Sequence, residues 1–143
     1  MKINLGCGND VLPGYINVDI NPSSDKVIKC DFEKDKLPFE DNFADELYAR
    51  DVLEHITNLI PFLNECYRVM KPGGVFIIEV PKFPSDKAVS DPTHVRFFVE
   101  ETFQYLGEYE GSQKMYGIKP WILDDIQSTD NRIFARMKKC STQ

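Results

Sequence analysis

The fold is decided by the stretch Met1-Lys2-Ile3-Asn4-Leu5-Gly6-Cys7-Gly8-Asn9, in which a short apolar run breaks directly into Gly-x-Gly. Ile3 and Leu5 are predicted core positions on the central strand of a parallel sheet, which is buried on both faces. Gly6 and Gly8 lack a Cβ, so the turn after this strand can adopt unusual dihedrals and leave its amide groups open to a bound molecule. The stretch therefore predicts a buried strand followed by a ligand-binding loop.

Length and composition indicate a single domain over residues 1–143. Apolar residues make up 42% of the chain, and no apolar run approaches the about 18 residues that cross a bilayer, so no membrane partner is expected. The first strand begins at once, which predicts that there is no signal peptide. Four scattered cysteines without C-x-x-C spacing are expected to remain free thiols in the cytoplasm. The net charge of -6 argues against nucleic-acid binding without a basic partner.

Apolar periodicity predicts the remaining elements. Strands are expected at residues 15–20, 27–31, 45–51 and 75–80, and a closing hairpin at residues 121–126 and 132–137. An amphipathic helix capped by Asn58 is predicted to end at Lys71-Pro72-Gly73-Gly74. Its apolar face would consist of Leu59, Phe62, Leu63, Cys66, Tyr67 and Met70. Residues 82–96 are predicted to form a long functional loop, and residues 100–106 a short helix.

This order of elements predicts an α/β fold with a Rossmann-like sheet, mostly parallel with an antiparallel C-terminal strand. Only nine residues separate Leu5 from Tyr15, and six separate Ile20 from Val27. Parallel strands normally need a crossover of a dozen or more residues, usually a helix. We therefore expect reduced N-terminal helices and one thinly covered sheet face, over which a second copy of the chain or a partner protein would lie.

Acidic residues follow the predicted strands at the edge where open parallel sheets bind ligands. Asp19 can accept hydrogen bonds from both hydroxyls of a ribose, and Asp31 can accept one from the amine of adenine. Each acid alone is also typical of a strand terminus, but together with Gly6-Cys7-Gly8 they indicate a nucleoside site. Val11 occupies the third glycine position of the dinucleotide fingerprint, and no phosphate-binding element is visible, so S-adenosylmethionine fits this set better than NAD or ATP.

Five motifs occur in one order along residues 2–106. They are Ile3-Asn4-Leu5-Gly6-Cys7-Gly8, Val18-Asp19-Ile20, Leu37-Pro38-Phe39-Glu40-Asp41, Val52-Leu53-Glu54-His55 and Tyr67-Arg68-Val69-Met70-Lys71-Pro72-Gly73-Gly74. Together these motifs resemble the class I S-adenosylmethionine-dependent methyltransferases, the type 11 group in particular, in a form trimmed at the N-terminus. The resemblance implies a seven-stranded sheet whose last strand is antiparallel.

The resemblance also implies which residues bind S-adenosylmethionine. Gly6 and Gly8 would lie under its methionine part, Asp19 would hold the ribose, and Asp31 and Phe32 would flank the adenine. Arg50 would line the pocket after the fourth strand. The full expected set is Asn4, Gly6, Cys7, Gly8, Asp19, Ile20, Asp31, Phe32, Arg50 and Asp51.

The segment Asp51-Val52-Leu53-Glu54-His55 places two carboxylates and an imidazole on one face of a helical turn, a plausible set for a divalent metal such as Mg²⁺. It resembles the Glu-x-x-Glu-His metal segment of ubiquinone-biosynthesis O-methyltransferases and of small-RNA 3′-terminal 2′-O-methyltransferases. In the RNA enzymes a downstream histidine completes the set. This resemblance implies the metal ligands Asp51, Glu54, His55 and His94, with Asp in place of the first Glu.

Other roles stay open for the same segment and for the loop after the fifth strand. Without a metal, His94 or His55 would be the catalytic base, and a purely structural histidine is the third alternative. Arg96 is expected to orient a substrate or to form a salt bridge with Asp91.

Two functional hypotheses follow from these expectations. The first is a cytoplasmic S-adenosylmethionine-dependent methyltransferase that acts on an oxygen or nitrogen of a small-molecule or sugar acceptor. The alternative is a catalytically silent methyltransferase-fold subunit that binds and regulates a partner protein. Formation of S-adenosylhomocysteine by the purified chain would separate the two.

Overall fold

The computed structural model describes residues 1–141 and contains one sheet of seven strands. The strands are β1 Lys2–Leu5, β2 Ile16–Asp19, β3 Val27–Lys29, β4 Ala44–Arg50, β5 Met70–Pro81, β6 Ile122–Ser128 and β7 Arg132–Lys138. Their spatial order is β3-β2-β1-β4-β5-β7-β6, and every pair is parallel except the two that β7 makes with β5 and β6. The expected Rossmann-like sheet with its antiparallel C-terminal strand is confirmed.

Four helices and a 3-10 turn connect these strands. They are the turn Leu53–His55, α1 Leu59–Val69, α2 Asp86–Ser90, α3 Glu100–Gly107 and α4 Glu110–Tyr116. The buried residues of α1 repeat at helical spacing, as the sequence predicts, but the helix ends at Val69, and Met70, expected on its apolar face, begins β5. Tyr67 on α1 packs edge-on against Trp121 with ring centroids 5.1 Å apart. No helix within residues 1–141 is both long enough and apolar enough to cross a membrane.

The hydrophobic core lies between the helices and one face of the sheet. The strand register places Leu47, Phe76 and Met137 side by side on this face, and all three are buried. The residues that alternate with them point to the opposite face and stay partly exposed, among them Ile77 and Arg136. The crossovers from β1 to β2 and from β2 to β3 contain no helix, so the second face is thinly covered, as expected from their length.

Two local predictions about helices are corrected. Residues 82–96 are not a continuous loop, because α2 forms within them and Ser85 caps it by accepting a hydrogen bond from the amide of Ala88 (3.2 Å). Asn58 precedes α1, but its side chain makes no capping hydrogen bond. The carboxylate of Glu33 instead accepts from the amides of Thr57 (2.8 Å) and Asn58 (3.2 Å), so a residue distant in sequence ties down this helix start.

Arg68 on α1 holds the loop after β3 against the helix. Its guanidinium donates to the carbonyls of Phe39 (2.9 Å) and Leu37 (3.2 Å) and pairs with Glu65 (2.6 Å). We expect Arg68→Met to lower the free energy of unfolding by about 2–3 kcal/mol, because partly buried acceptors lose a charged donor. Urea unfolding measures this change, with Lys114→Met on exposed α4 as the control that leaves stability unchanged. Equal effects of the two substitutions would contradict this role of Arg68.

Candidate functional site

The two glycines of the Gly-x-Gly turn keep their part of the backbone free of side chains. Gly6 and Gly8 adopt positive φ angles of 67° and 54°, and the amides of Gly6 and Cys7 both donate to the carbonyl of Val18 (2.8 and 3.1 Å). A Cβ on Gly6 would lie 2.5 Å from Cγ2 of Val52, whereas a Cβ on Gly8 would meet no atom within 4 Å. Only glycine therefore fits at the first position, and the second faces open space.

A first pocket of about 320 Å³ lies at the carboxyl ends of β1, β2 and β4. It is lined by Gly6, Asp19, Ile20, Asp31, Phe32, Glu33, Asp51, Val52, His55 and Ile56. Its volume falls within the range of small-molecule sites, about 300–1,000 Å³. The Asp19 carboxylate accepts from the amides of Gly8 and Asn21, both at 2.8 Å, and so ties the glycine turn to the end of β2.

Carboxylates dominate the charge of the first pocket. Four acids and one imidazole are among its ten lining residues, which include no lysine or arginine. Such a field attracts cations and repels phosphates. The pocket therefore fits the sulfonium and the ammonium of S-adenosylmethionine, and its carboxylates can accept hydrogen bonds from ribose hydroxyls. The pyrophosphate of a dinucleotide would be repelled.

Six of the ten expected cofactor residues line this pocket, namely Gly6, Asp19, Ile20, Asp31, Phe32 and Asp51. The other four lie elsewhere. Asn4 is buried beneath the turn and donates to Asn17 (2.9 Å), Cys7 is buried, and Gly8 donates its amide to Asp19. Arg50 lies on the thinly covered face of the sheet, 3.4 Å from the carboxylate of Glu79.

A second pocket of about 330 Å³ adjoins the first and shares Asp51 and His55 with it. It is lined by Asp51, Glu54, His55, Pro81, Lys87, Ser90, Asp91, His94 and Arg132. The side chains of Glu54, His55 and His94 converge there, with one potential ligand atom from each lying within 4.8 Å of the others. Three of the four expected metal ligands are thus together.

Glu54 is 1% exposed, and neither of its carboxylate oxygens has a hydrogen-bond partner in the part of the chain that the structure describes. Burial raises its pKa to about 7, and the charge of Asp51 adds to the increase. A buried carboxylate without donors is costly unless something compensates it. Such a group is typical of a residue that binds a cation or handles a proton.

Hydrogen bonds select the neutral tautomer of both histidines beside Glu54. Nδ1 of His94 lies 2.9 Å from the carbonyl of Ala88, so Nδ1 carries the proton and Nε2, 3.9 Å from Glu54, has a free lone pair when the ring is neutral. The hydroxyl of Thr93 donates to Asp91 (2.7 Å) and therefore accepts from Nδ1 of His55 (3.0 Å). Nε2 of His55 accordingly also has a free lone pair when its ring is neutral. Outer contacts of this kind prepare histidines for metal binding.

Asp51 reaches the second pocket but lies outside the cluster of Glu54, His55 and His94. Its Oδ1 is 2.9 Å from the guanidinium of Arg132. Its φ of 56° is uncommon for a residue other than glycine. Asp51 therefore stands at the boundary of the two pockets, and Arg132 holds it there.

One residue of the second pocket, Arg132, carries no local sequence signal. Arg132 enters the second pocket because antiparallel pairing sets it opposite Pro81, about fifty residues earlier in the chain. Arg96 does not form the expected salt bridge with Asp91. Its Nη2 instead donates to the carbonyls of Ile56 and Thr57, both at 2.8 Å, so it fixes the segment that follows the 3-10 turn.

The strand order, the glycine turn and the acids beyond β2 and β3 define a class I S-adenosylmethionine-dependent methyltransferase fold. Residues 4–78 match the protein family described as "Methyltransferase domain", and the chain belongs to that family. The cofactor of this family is S-adenosylmethionine.

Individual proteins agree with this assignment. The chain is 43% identical over 53 residues to the sterol 4-C-methyltransferase strm-1 of Caenorhabditis elegans, covering 37% of this chain and 15% of that protein. A methyltransferase from Archaeoglobus fulgidus has the same fold, with a TM-score of 0.67, 19% identity, and coverage of 96% and 85% of the two chains. A third similar chain comes from Haloferax volcanii, from the complex of the Trm112 methyltransferase activator with a methyltransferase. Its TM-score is also 0.67, with 14% identity and coverage of 97% of this chain and 82% of that chain. The chain spans 15–35% of the length of the curated relatives it matches.

Proposed function

We propose that this chain transfers a methyl group from S-adenosylmethionine to an oxygen atom of a small polar acceptor bound in the second pocket. The observation that carries the proposal is Glu54, a buried carboxylate without a hydrogen-bond donor that lies beside two histidines, each with Nδ1 engaged in a hydrogen bond. A hydroxyl acceptor needs a base or a cation to become nucleophilic, whereas a neutral amine needs neither. The cluster therefore supports oxygen over nitrogen as the methyl acceptor.

The first pocket would hold and align the cofactor. S-adenosylmethionine supplies an activated methyl group, which is transferred by in-line displacement, so the protein contributes alignment and a dry site. Each oxygen of Asp19 accepts one backbone hydrogen bond and keeps a second lone pair for a ribose hydroxyl. Asp31 and Phe32 border the same pocket on the side proposed for adenine.

Glu54, His55 and His94 would hold a divalent ion that lowers the pKa of an acceptor hydroxyl. Two imidazoles and one carboxylate favour Mn²⁺ or Zn²⁺ over Mg²⁺, which prefers oxygen ligands. The same residues suit proton transfer in the absence of an ion, because the pKa of Glu54 is raised to about 7 by burial. A carboxyl with that pKa can take up a proton near neutral pH.

The lining of the second pocket indicates the kind of acceptor. Lys87, Ser90 and Arg132 surround the cluster in a volume of about 330 Å³, which suits a small molecule with hydroxyl or anionic groups. The Caenorhabditis elegans relative is named for methyl transfer to a sterol carbon. A carbon acceptor is therefore the competing outcome for this chain.

A direct assay tests the proposal. The purified chain is incubated with S-adenosylmethionine, Mn²⁺ and a panel of small phenols, catechols, sugars and amines, and S-adenosylhomocysteine and the methylated product are measured. We expect methyl ethers, with rates that fall when the metal is chelated or the pH is lowered below 6. Exclusive formation of N-methyl or C-methyl products would contradict the oxygen acceptor.

Thr93 is expected to tune metal affinity through His55. Thr93→Val keeps the shape of the side chain but removes the hydroxyl that holds Nδ1 of His55, so we expect Mn²⁺ affinity to fall about 10–100-fold. Calorimetric titration with Mn²⁺ measures the change. Thr129→Val in the turn before β7 is the matched control and should bind Mn²⁺ as the unmodified chain does. Unchanged affinity in Thr93→Val would remove Thr93 from this role.

A second candidate function is a catalytically silent subunit that regulates a partner protein. One supporting feature is the Asp19 carboxylate, because both of its oxygens already accept hydrogen bonds from backbone amides of the same chain. The other is the thinly covered sheet face. The Haloferax volcanii neighbour comes from a complex with an activator. Absence of any S-adenosylhomocysteine from the chain alone, together with retained cofactor binding, would favour this second function.

A further inference from the structure

The thinly covered side of the sheet carries a mixed surface of charged, aromatic and aliphatic residues. We define the open face as the outward residues of β4, β5 and β7, which pair in three rows. The rows are Glu46-Val75-Lys138, Tyr48-Ile77-Arg136 and Arg50-Glu79-Phe134. All nine residues are half-buried or exposed, and Phe134 keeps 38% of its surface accessible. Val75, Ile77 and Phe134 together leave apolar surface partly exposed on a sheet face without a helix over it, and contiguous exposed apolar surface marks an interaction site.

We propose that the open face is the interface of a symmetric homodimer, in which a second copy of this chain packs sheet against sheet. Sheets that pack face to face keep their strands roughly aligned. In a two-fold dimer the same patch of both copies meets itself. The two-fold axis runs parallel to β5 and lies between the two sheets. It places β5 over β5 of the other copy, and β4 over β7 of the other copy. Each row of one copy therefore faces the same row of the other.

Every outer contact of this arrangement is complementary. Glu46 meets Lys138 of the other copy, which joins opposite charges. Within each chain Glu46 also accepts a hydrogen bond from Tyr15, and Nζ of Lys138 lies 3.3 Å from Asp124. Tyr48 meets Arg136, and Arg50 meets Phe134, and both pairs place a guanidinium over an aromatic ring. A face that had to fit an unrelated protein would not need to match itself in all three rows.

The outward residues of β5, which form the middle of each row, can pack against the same residues of the other copy. Val75 and Ile77 meet their counterparts as apolar pairs. Glu79 also meets its own counterpart, but its charge is compensated within each chain by Arg132 (3.0 Å) and Arg50 (3.4 Å). The like charges at this point therefore do not oppose association.

The proposed interface adjoins the second pocket. Arg132 and Pro81 lie in the row beyond Glu79 and Phe134, and both line that pocket. A second copy on the open face would stand at the edge of the pocket and limit the length of a bound acceptor. The dimer itself does not depend on the identity of the acceptor, so its test is independent of methyl transfer.

Sedimentation velocity of the full chain at about 50 µM tests the proposal, because mass action at this concentration populates dimers of micromolar affinity. We expect a species of twice the 16.5 kDa chain mass. Lys138→Glu places like charges across both symmetric contacts and should weaken the dimer at least tenfold. The double substitution Glu46→Lys with Lys138→Glu restores opposite charges and should restore the dimer. Lys114→Glu, on exposed α4, is the control that leaves the dimer intact.

A cross-linking measurement covers the case in which a charge variant fails to fold. Ile77→Cys sits on the proposed axis, so in a Cys140→Ser background a short bismaleimide should join two copies. Cys140→Ser alone, whose three remaining cysteines are buried, should not be joined. A monomeric unmodified chain would overturn the proposal and leave the face for a different protein. A dimer that resists Lys138→Glu and gives no cross-link would also overturn it.

Discussion

Asp19→Ala is expected to lower the affinity of the chain for S-adenosylmethionine by about 100-fold or more. The carboxylate is proposed to accept from ribose hydroxyls, and hydrogen bonds to a charged group contribute about 1.5–3 kcal/mol each. The same change also releases the amides of Gly8 and Asn21, so the glycine turn loses its attachment to β2. Calorimetric titration with S-adenosylmethionine measures the loss.

The control for this prediction lies in the same loop. Asp10 is an exposed carboxylate that does not line the first pocket, so Asp10→Ala changes the charge of the loop without touching the proposed ribose contact. It should bind the cofactor as the unmodified chain does. Equal affinities of Asp19→Ala and the unmodified chain would show that the nucleoside binds elsewhere.

Glu54→Gln is expected to reduce Mn²⁺-dependent methyl transfer by about 100-fold or more. Loss of an outer contact of a metal ligand already costs about 10–100-fold, and this substitution neutralises a proposed ligand itself. The matched control is Glu40→Gln, which neutralises an exposed carboxylate on the loop before β4. Turnover that survives in Glu54→Gln would contradict a metal-binding or proton-transfer role of the carboxylate.

The same substitution should stabilise the metal-free protein at alkaline pH. The pKa of Glu54 rises from 4.5 to about 7 on folding because burial disfavours the charged form. The native state therefore binds more protons between these values, and stability falls as the pH rises through that window. Above pH 7 the cost amounts to about 3 kcal/mol. Urea unfolding in chelator should show Glu54→Gln more stable than the unmodified chain at pH 8 and equally stable at pH 4. The opposite order would mean that Glu54 has compensating partners.

The elements that place the first pocket are readable from local sequence. Strands β1 and β2 coincide with short apolar runs of the sequence. Gly6 and Asp19, which interrupt these runs, lie directly at the carboxyl ends of the two strands. Parallel strands bring those ends to one edge of the sheet regardless of what connects them. The convergence of Asp19 and Asp31 on one pocket therefore follows from strand order alone. The open face is also predictable, because the crossovers are too short for helices.

The second pocket depends on contacts that no local pattern encodes. Arg132 arrives through the register of β7, and His94 is positioned by the unpredicted helix α2, whose Ala88 carbonyl holds Nδ1 of the ring. Helix α4 was not predicted because its sequence has no apolar face, and it buries Gln113, which donates to the carbonyls of Leu106 and Trp121. Asp51 has the spacing of a metal ligand but meets Arg132 instead. Spacing along the chain cannot predict the pairing of Asp51 with Arg132, because these two residues are about eighty positions apart.

The central claim is that the first pocket binds the cofactor and the second binds a metal ion. The most direct test is a crystal structure of the chain with S-adenosylhomocysteine and Mn²⁺, with anomalous scattering recorded for the metal. We predict that the ribose contacts Asp19, the sulfur faces the second pocket, and one Mn²⁺ lies within about 2.0–2.5 Å of Glu54, His55 and His94. A nucleoside bound away from Gly6 and Asp19, or an anomalous peak away from these three side chains, would contradict it.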